Sequence, residues 1–312
     1  MGHLNQLVRQ RRTLTAALAA AVGSFVLGIV LPVNLRANQV LGGLKVQVSR
    51  QGTPVQVKLE VPKLKDAIEQ RVEVSQQALA RLEDRFNFSV PGRFQGTTVT
   101  QAKLKSDEKA IALTFDDGPW PTSTEQILEV LKQNNIKATF FWVGRYLQTY
   151  PEIGKKVATA GHAIGNHTWN HQYFKYNQET ASREIDRTSA LIEKLTGIKT
   201  SMFRPPAGIL NNGLVDYAQK QKYVAVMWSV DSMDWRTSTP SLLENVLNQA
   251  SAGGIVLMHD GGGNRSKTVE ALPKMIAELR KRGYKFVTVP ELLAMQDREM
   301  VAQEKGEETA AK

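Results

Sequence analysis

The chain has 312 residues, no cysteine and a formal charge of +10. That length allows one large domain or two ordinary ones, and the missing cysteines exclude disulfide scaffolds and thiolate chemistry. The positive charge favours anionic surroundings such as cell-wall polymers or a membrane surface. No basic stripe with interleaved aromatics and no nucleic-acid module is present, so nucleic acid is not an expected partner.

At the N-terminus, Arg9, Arg11 and Arg12 precede an uncharged apolar run from Thr13 to Val33. The run is long enough to span a bilayer, and the "NLRANQV" that follows offers a poor cleavage site. Residues 1–33 are therefore expected to form a cytoplasmic end plus a transmembrane signal-anchor, with the arginines inside. The rest of the chain then lies outside the cytoplasm, anchored through this helix; secretion after signal cleavage is the alternative. Residues 34–105 read as a spacer, stalk or small subdomain. Within them "KVQVSR" and "PVQVKLEV" alternate like strands, and Leu64, Ala67, Ile68, Val72, Leu79 and Leu82 recur at helical spacing. The polar stretch 296–312 is expected to be a disordered tail.

Residues 106–295 alternate between two periods. Short apolar strands fall at 111–115, 138–142, 163–167, 201–205, 224–230, 254–259 and 284–289, separated by helical patterns such as "STEQILEVLKQNN" and "SKTVEALPKMIAELRKRG". About seven β–α repeats predict a parallel sheet with helices outside, as a barrel or a doubly wound sheet, with chemistry gathered at strand C-termini. Charged and titratable residues do gather there. Asp116 and Asp117 follow the first strand, His167 ends the third with His171 just beyond, and Arg204 ends the fourth. Asp231 and Asp234 follow the fifth, and His259 with Asp260 closes the sixth.

In "HTWNH", His167 and His171 stand four apart, a spacing open to two readings: a metal-ligand pair, or capping and core histidines. Two imidazoles and a carboxylate make a good three-ligand set for Zn²⁺ with one position left for water, and the neighbouring strand-end charges favour that reading. "DDGP" alone reads equally as an Asp-rich turn with a helix cap, or as a phosphoryl acceptor; the two histidines argue against the latter. His162 is expected to be structural, and Asp231 is a site residue or a turn contact.

Taken in order, "TFDDGP", "HTWNH", "RPPAG", "DSMDW" and "IVLMHD" resemble the five motifs of the polysaccharide deacetylases (NodB homology, carbohydrate esterase family 4), across residues 106–295. The resemblance implies a distorted (β/α) barrel with fewer than eight strands. It implies hydrolysis of N-acetyl groups from the amino sugars of a cell-surface polysaccharide (peptidoglycan, a chitin-like polymer or exported poly-N-acetylglucosamine). The implied cofactor is a divalent metal, foremost Zn²⁺ with Co²⁺ as an alternative, on Asp117, His167 and His171. The resemblance makes Asp116 the base, balanced by Arg204, and His259 the acid, supported by Asp234. It gives the acetyl pocket to Trp235 and Leu257, and an oxyanion contact to the backbone N–H of Ala207. Ala207 is also a departure, since the family commonly has an aromatic residue there. A catalytically weak glycan-binding protein and a deacetylase or amidase of smaller substrates are the alternatives.

Overall fold

The computed structural model describes residues 70–74, 88–104 and 108–310, with side chains to 307. The chain divides into two compact units, Met1–Leu82 and Glu83–Lys312. In the first, residues 70–74 are helical, inside the segment with helical spacing. The expected anchor at 13–33 and the strand-like stretches that follow it lie outside the described residues. Among the described residues no helix is long and apolar enough to cross a membrane.

The second unit alternates strand and helix. Its strands are β1 (Thr98–Val99), β2 (Ala110–Asp116), β3 (Thr139–Trp142), β4 (Ala163–Asn166), β5 (Met202–Phe203), β6 (Val224–Val226), β7 (Val230–Asp231), β8 (Gly254–His259) and β9 (Lys285–Val287). Its helices are α1 (Ser123–Gln133), α2 (Gly144–Thr149), α3 (Pro151–Thr159), α4 (Gln178–Thr196), α5 (Leu214–Lys220), α6 (Thr239–Gln249), α7 (Ser266–Lys281) and α8 (Val289–Ala310).

Every pairing among these strands is parallel, in the order β1-β6-β5-β4-β3-β2-β8-β7. On one edge of β2, β9 takes Ala110–Ala112 and β3 takes Thr114–Asp116. The stretch 224–230, expected as one strand, carries both β6 and β7. Its start pairs with β5 and its end with β8, so one length of chain turns the sheet back on itself. The architecture is the expected distorted (β/α) barrel, but with nine described strands where about seven were expected, because β1 precedes the expected domain and 224–230 carries two.

Period-two alternation divides the core. Ile111, Leu113 and Phe115 of β2 face the helix layer with Ile127, Leu131, Leu272 and Ile276. Ala110 and Ala112 face a second cluster with Phe141, Ala163, Met202, Val224 and Ile255. Val90, Phe94, Val99 and Ala102 join this second cluster from the N-terminal side, and Val289, Leu292 and Leu293 join it from α8. β1 adds a strand beside β6. The barrel thus draws on residues before the expected boundary at 106.

The expected disordered tail from 296 is instead helical, because α8 continues to Ala310. Gln296 accepts from the Lys103 backbone N–H at 3.1 Å. Arg93 bridges Asp297 at 3.0 Å and Glu304 at 2.9 Å. These partners are too distant in sequence for local composition to reveal them.

Candidate active site

Because all strands are parallel, their C-terminal ends open at one mouth. Residues 110, 112, 114 and 116 share one face of β2, so Asp116 stands at the mouth above Thr114 and the small alanines. Register pairs Asp116 directly with His259 of β8. Thr114 donates to the Val256 carbonyl at 2.6 Å and accepts from Arg204 at 2.8 Å.

Arg204, fully buried just after β5, donates to one Asp116 oxygen at 2.7 Å and to the Val226 carbonyl at 2.9 Å. Its guanidinium stacks 4.1 Å from the centre of the Phe141 ring. Every one of these contacts faces the barrel interior, which explains how a buried cation is held there. The other Asp116 oxygen lies 3.7 Å from His167 Nε2. Burial pushes the Asp116 carboxyl up to about 6, against the opposing pull of Arg204 and His259. It is therefore poised near neutrality, where a base operates best.

Asp117, at φ 73°, turns the other way. One of its oxygens lies 3.1 Å from His171 Nε2 and 3.6 Å from His167 Nε2. Ligand atoms of Asp117, His167 and His171 all fall within 4.8 Å of one another, so the three could hold a metal ion. The chemistry of the donor set fits one. His167 Nδ1 meets the Arg204 carbonyl at 2.7 Å, so Nδ1 carries the proton and the Nε2 lone pair points at Asp117. Burial, and then the mutual repulsion of the two imidazoles, holds His167 well below its ordinary pKa; burial also lowers His171. Both are accordingly neutral, the form that ligates.

The "HTWNH" loop is shaped by contacts of its own. Thr168 and His171 take the left-handed conformation, at φ 69° and 56°. The Thr168 hydroxyl accepts from the His171 N–H at 3.0 Å, and Asn166 Oδ1 accepts from the Thr168 N–H at 2.8 Å. Glu184 of α4 is buried and accepts from the Trp169 and Asn170 backbone N–H groups at 2.9 and 2.7 Å, and from the Asn170 side chain at 2.7 Å. Such strain persists only where surrounding bonds fix it.

Opposite, Asp234 accepts from His259 Nδ1 at 2.7 Å and backbone N–H at 2.8 Å, and from Thr268 at 2.7 Å. Burial pulls His259 down, but the Asp234 carboxylate and the charges of Asp116 and Asp117 outweigh it and raise its pKa. Burial likewise pushes Asp234 up, and its bonds to His259 and Thr268 reverse the sign.

The remaining expected residues divide. Leu257 is buried two positions before His259, whereas Trp235 is 56 % exposed with Arg236 beside its ring. Ala207 sits at φ 53° in a tight turn at the mouth. Asp231 accepts from the Met233 N–H and exchanges bonds with Gln249, so it is the turn contact. Asp260 accepts from Thr124 at 2.6 Å and its N–H donates to the Asp116 carbonyl, so it shapes the loop. His162 accepts from the Ala138 N–H and is structural as expected. Sequence reasoning missed Glu184, Tyr173, whose hydroxyl lies 3.3 Å from His171 Nδ1, and Arg265, 3.8 Å from Asp117. Glu184 shares the buried face of α4 with Ala181, Ile185, Thr188 and Ile192, but the backbone N–H groups it serves lie in a separate loop that local pattern does not place beside it.

The parallel (β/α) barrel thus gathers the candidate base, acid and metal-ligand residues at one mouth. The polysaccharide deacetylase family profile matches residues 103–226. A peptidoglycan-N-acetylglucosamine deacetylase of Bacillus cereus is 43% identical over 195 residues, covering 61% of this chain and 91% of that protein. A peptidoglycan-N-acetylmuramic acid deacetylase of Bacillus subtilis is 36% identical over 188 residues, covering 60% of this chain and 39% of that one. Among solved structures, a peptidoglycan N-acetylglucosamine deacetylase superposes with a TM-score of 0.60 at 35% identity, covering 64% of this chain and 92% of the other. A CE4 family pseudoenzyme from Bacillus anthracis superposes with a TM-score of 0.59 at 32% identity, covering 64% and 69%. The chain belongs to the polysaccharide deacetylase family, carbohydrate esterase family 4.

Proposed function

We propose that the protein removes N-acetyl groups from the N-acetylglucosamine of peptidoglycan, with release of acetate. The observation that carries the reading is the pairing of Asp116 with His259 at adjacent strand ends beside the Asp117–His167–His171 cluster. Asp117, His167 and His171 would hold a divalent metal, foremost Zn²⁺, which when bound would supply Lewis-acid chemistry at the water and the acetyl carbonyl.

The side chains do the rest. Asp116 takes the proton of the attacking water through the oxygen facing His167, while Arg204 holds the other oxygen and fixes the carboxylate. The backbone N–H of Ala207 donates to the oxyanion. His259 donates a proton to the departing nitrogen, because an amine anion is too poor a leaving group. Asp234 keeps that imidazole protonated and aimed. Peptidoglycan is favoured over chitin-like polymers because three of the similar proteins above are peptidoglycan deacetylases. An active domain outside the cytoplasm, behind an anchor at 13–33, fits that substrate.

Metal-loaded protein incubated with peptidoglycan fragments and chitooligosaccharides, followed by mass spectrometry, tests the reading. Loss of one acetyl mass per glucosamine from the peptidoglycan fragments is expected. Loss from chitooligosaccharides alone would overturn the substrate assignment. Protease added to intact cells should remove the C-terminal domain, and protection would overturn the location.

A further inference from the structure

The two histidines of the candidate metal centre are held unequally. The His167 side chain is 3% exposed, and its Nδ1–H donates to the carbonyl of the buried Arg204. The His171 side chain is 19% exposed and stands in the loop after β4, at the mouth. Thr168 fixes its backbone, at φ 56°. What remains is the turn of the ring, a torsion that for histidine is broad and roughly two-fold. A half-turn would put a carbon where Nε2 faces Asp117 at 3.1 Å.

Tyr173 supplies the restraint. With Nε2 turned to Asp117, Nδ1 carries the proton and donates to the Tyr173 hydroxyl, 3.3 Å away. The tyrosine ring stands edge-on to the imidazole, with centroids 5.4 Å apart. Tyr173 is itself 57% exposed, so the loop rather than packing sets its place. On one side of it, Phe174 stacks on the buried Tyr176 ring at 4.6 Å. On the other, the Gln172 carbonyl accepts from the Tyr176 hydroxyl at 3.3 Å, which closes the loop on itself. The Tyr176 N–H donates to the Asn212 carbonyl at 2.7 Å and ties this loop to the one after β5. Gly213 allows the approach, since a Cβ there would lie 2.3 Å from the Tyr176 carbonyl oxygen.

We propose that Tyr173 is a positioning residue of the candidate metal centre, its hydroxyl accepting from His171 Nδ1 and keeping Nε2 aimed at the ion. One histidine is thus set by the barrel interior and the other by a loop at the mouth. An outer hydrogen bond of this kind fixes the tautomer and the orientation of a ligating imidazole. This inference rests on the metal-centre half of the deacetylase reading.

The test is Zn²⁺ affinity by titration calorimetry for wild type and Tyr173→Phe, joined to NMR of the Zn²⁺-loaded proteins carrying isotope-labelled histidine. Phenylalanine keeps the ring and deletes only the hydroxyl. Tyr173→Phe should bind Zn²⁺ about tenfold more weakly. In wild type, His167 and His171 should each show an Nδ1–H signal protected from exchange with water. In Tyr173→Phe the His171 signal should shift and exchange faster, while that of His167, held by the Arg204 carbonyl, stays in place. A general loosening of the site would move both. Equal affinity, or two signals that move together or not at all, overturns the role of Tyr173 and leaves the metal cluster standing. Wild type that binds no Zn²⁺ overturns the cluster and the positioning role with it.

Discussion

Asp116 and Asp117 are adjacent in sequence yet answer to different partners. Asp116 is held by Arg204 inside the barrel, and Asp117, turned by its left-handed φ, faces the two imidazoles. Asp116→Asn should therefore retain metal and lose about 10²–10⁴-fold in kcat, the scale of a general base. His171→Ala should lose metal itself, read by metal content after dialysis. The Asp234–His259 pair fixes a pH limb. His259 is raised above its ordinary 6.5, so its protonated form, and the stability this pair adds, is complete below that value. Both are lost as pH rises through the raised pKa. Asp234→Asn removes the charge that raises it, so the alkaline limb of kcat should move to lower pH. An unmoved limb would remove His259 from the role of acid.

At the scale of elements, the ligand loop depends on a helix. α4 is well specified: Asn177 and Thr180 cap each other at its start, and Gly197 ends it in the left-handed conformation. That places Glu184 under the loop carrying His167 and His171. Glu184→Ala should weaken metal binding about 10–100-fold, as loss of an outer partner of a ligand set does. Titration calorimetry with Zn²⁺ measures this independently of activity. The seven apolar stretches and the strand-end charges were legible in the sequence because short apolar runs, buried on both faces in a parallel sheet, and Gly/Pro punctuation are local signals. The split of 224–230 between β5 and β8 was not, since it depends on how the sheet curls. Asp231 shows the same limit, because only its Gln249 partner, a helix away, decides between site and turn.

Across the whole molecule, the barrel is completed from both ends of the catalytic unit. Val90, Phe94, Val99 and Ala102 share a core with Val289, Leu292 and Leu293, and Arg93 ties the two segments together. These contacts join residues some 200 positions apart, which is why local pattern put the limits at 106 and 295. A chain beginning at 106 should unfold at a clearly lower temperature than one beginning at 83. Each large core side chain removed typically costs about 2–5 kcal/mol. Equal melting temperatures would show that β1 and its neighbours are dispensable.

The most direct test of the central claim is acetate release from peptidoglycan before and after chelation. The account predicts loss of acetyl groups from N-acetylglucosamine, abolished when metal is stripped and restored by Zn²⁺ or Co²⁺. Deacetylation that persists without metal, or its absence from every N-acetylated glycan with metal bound, would contradict it.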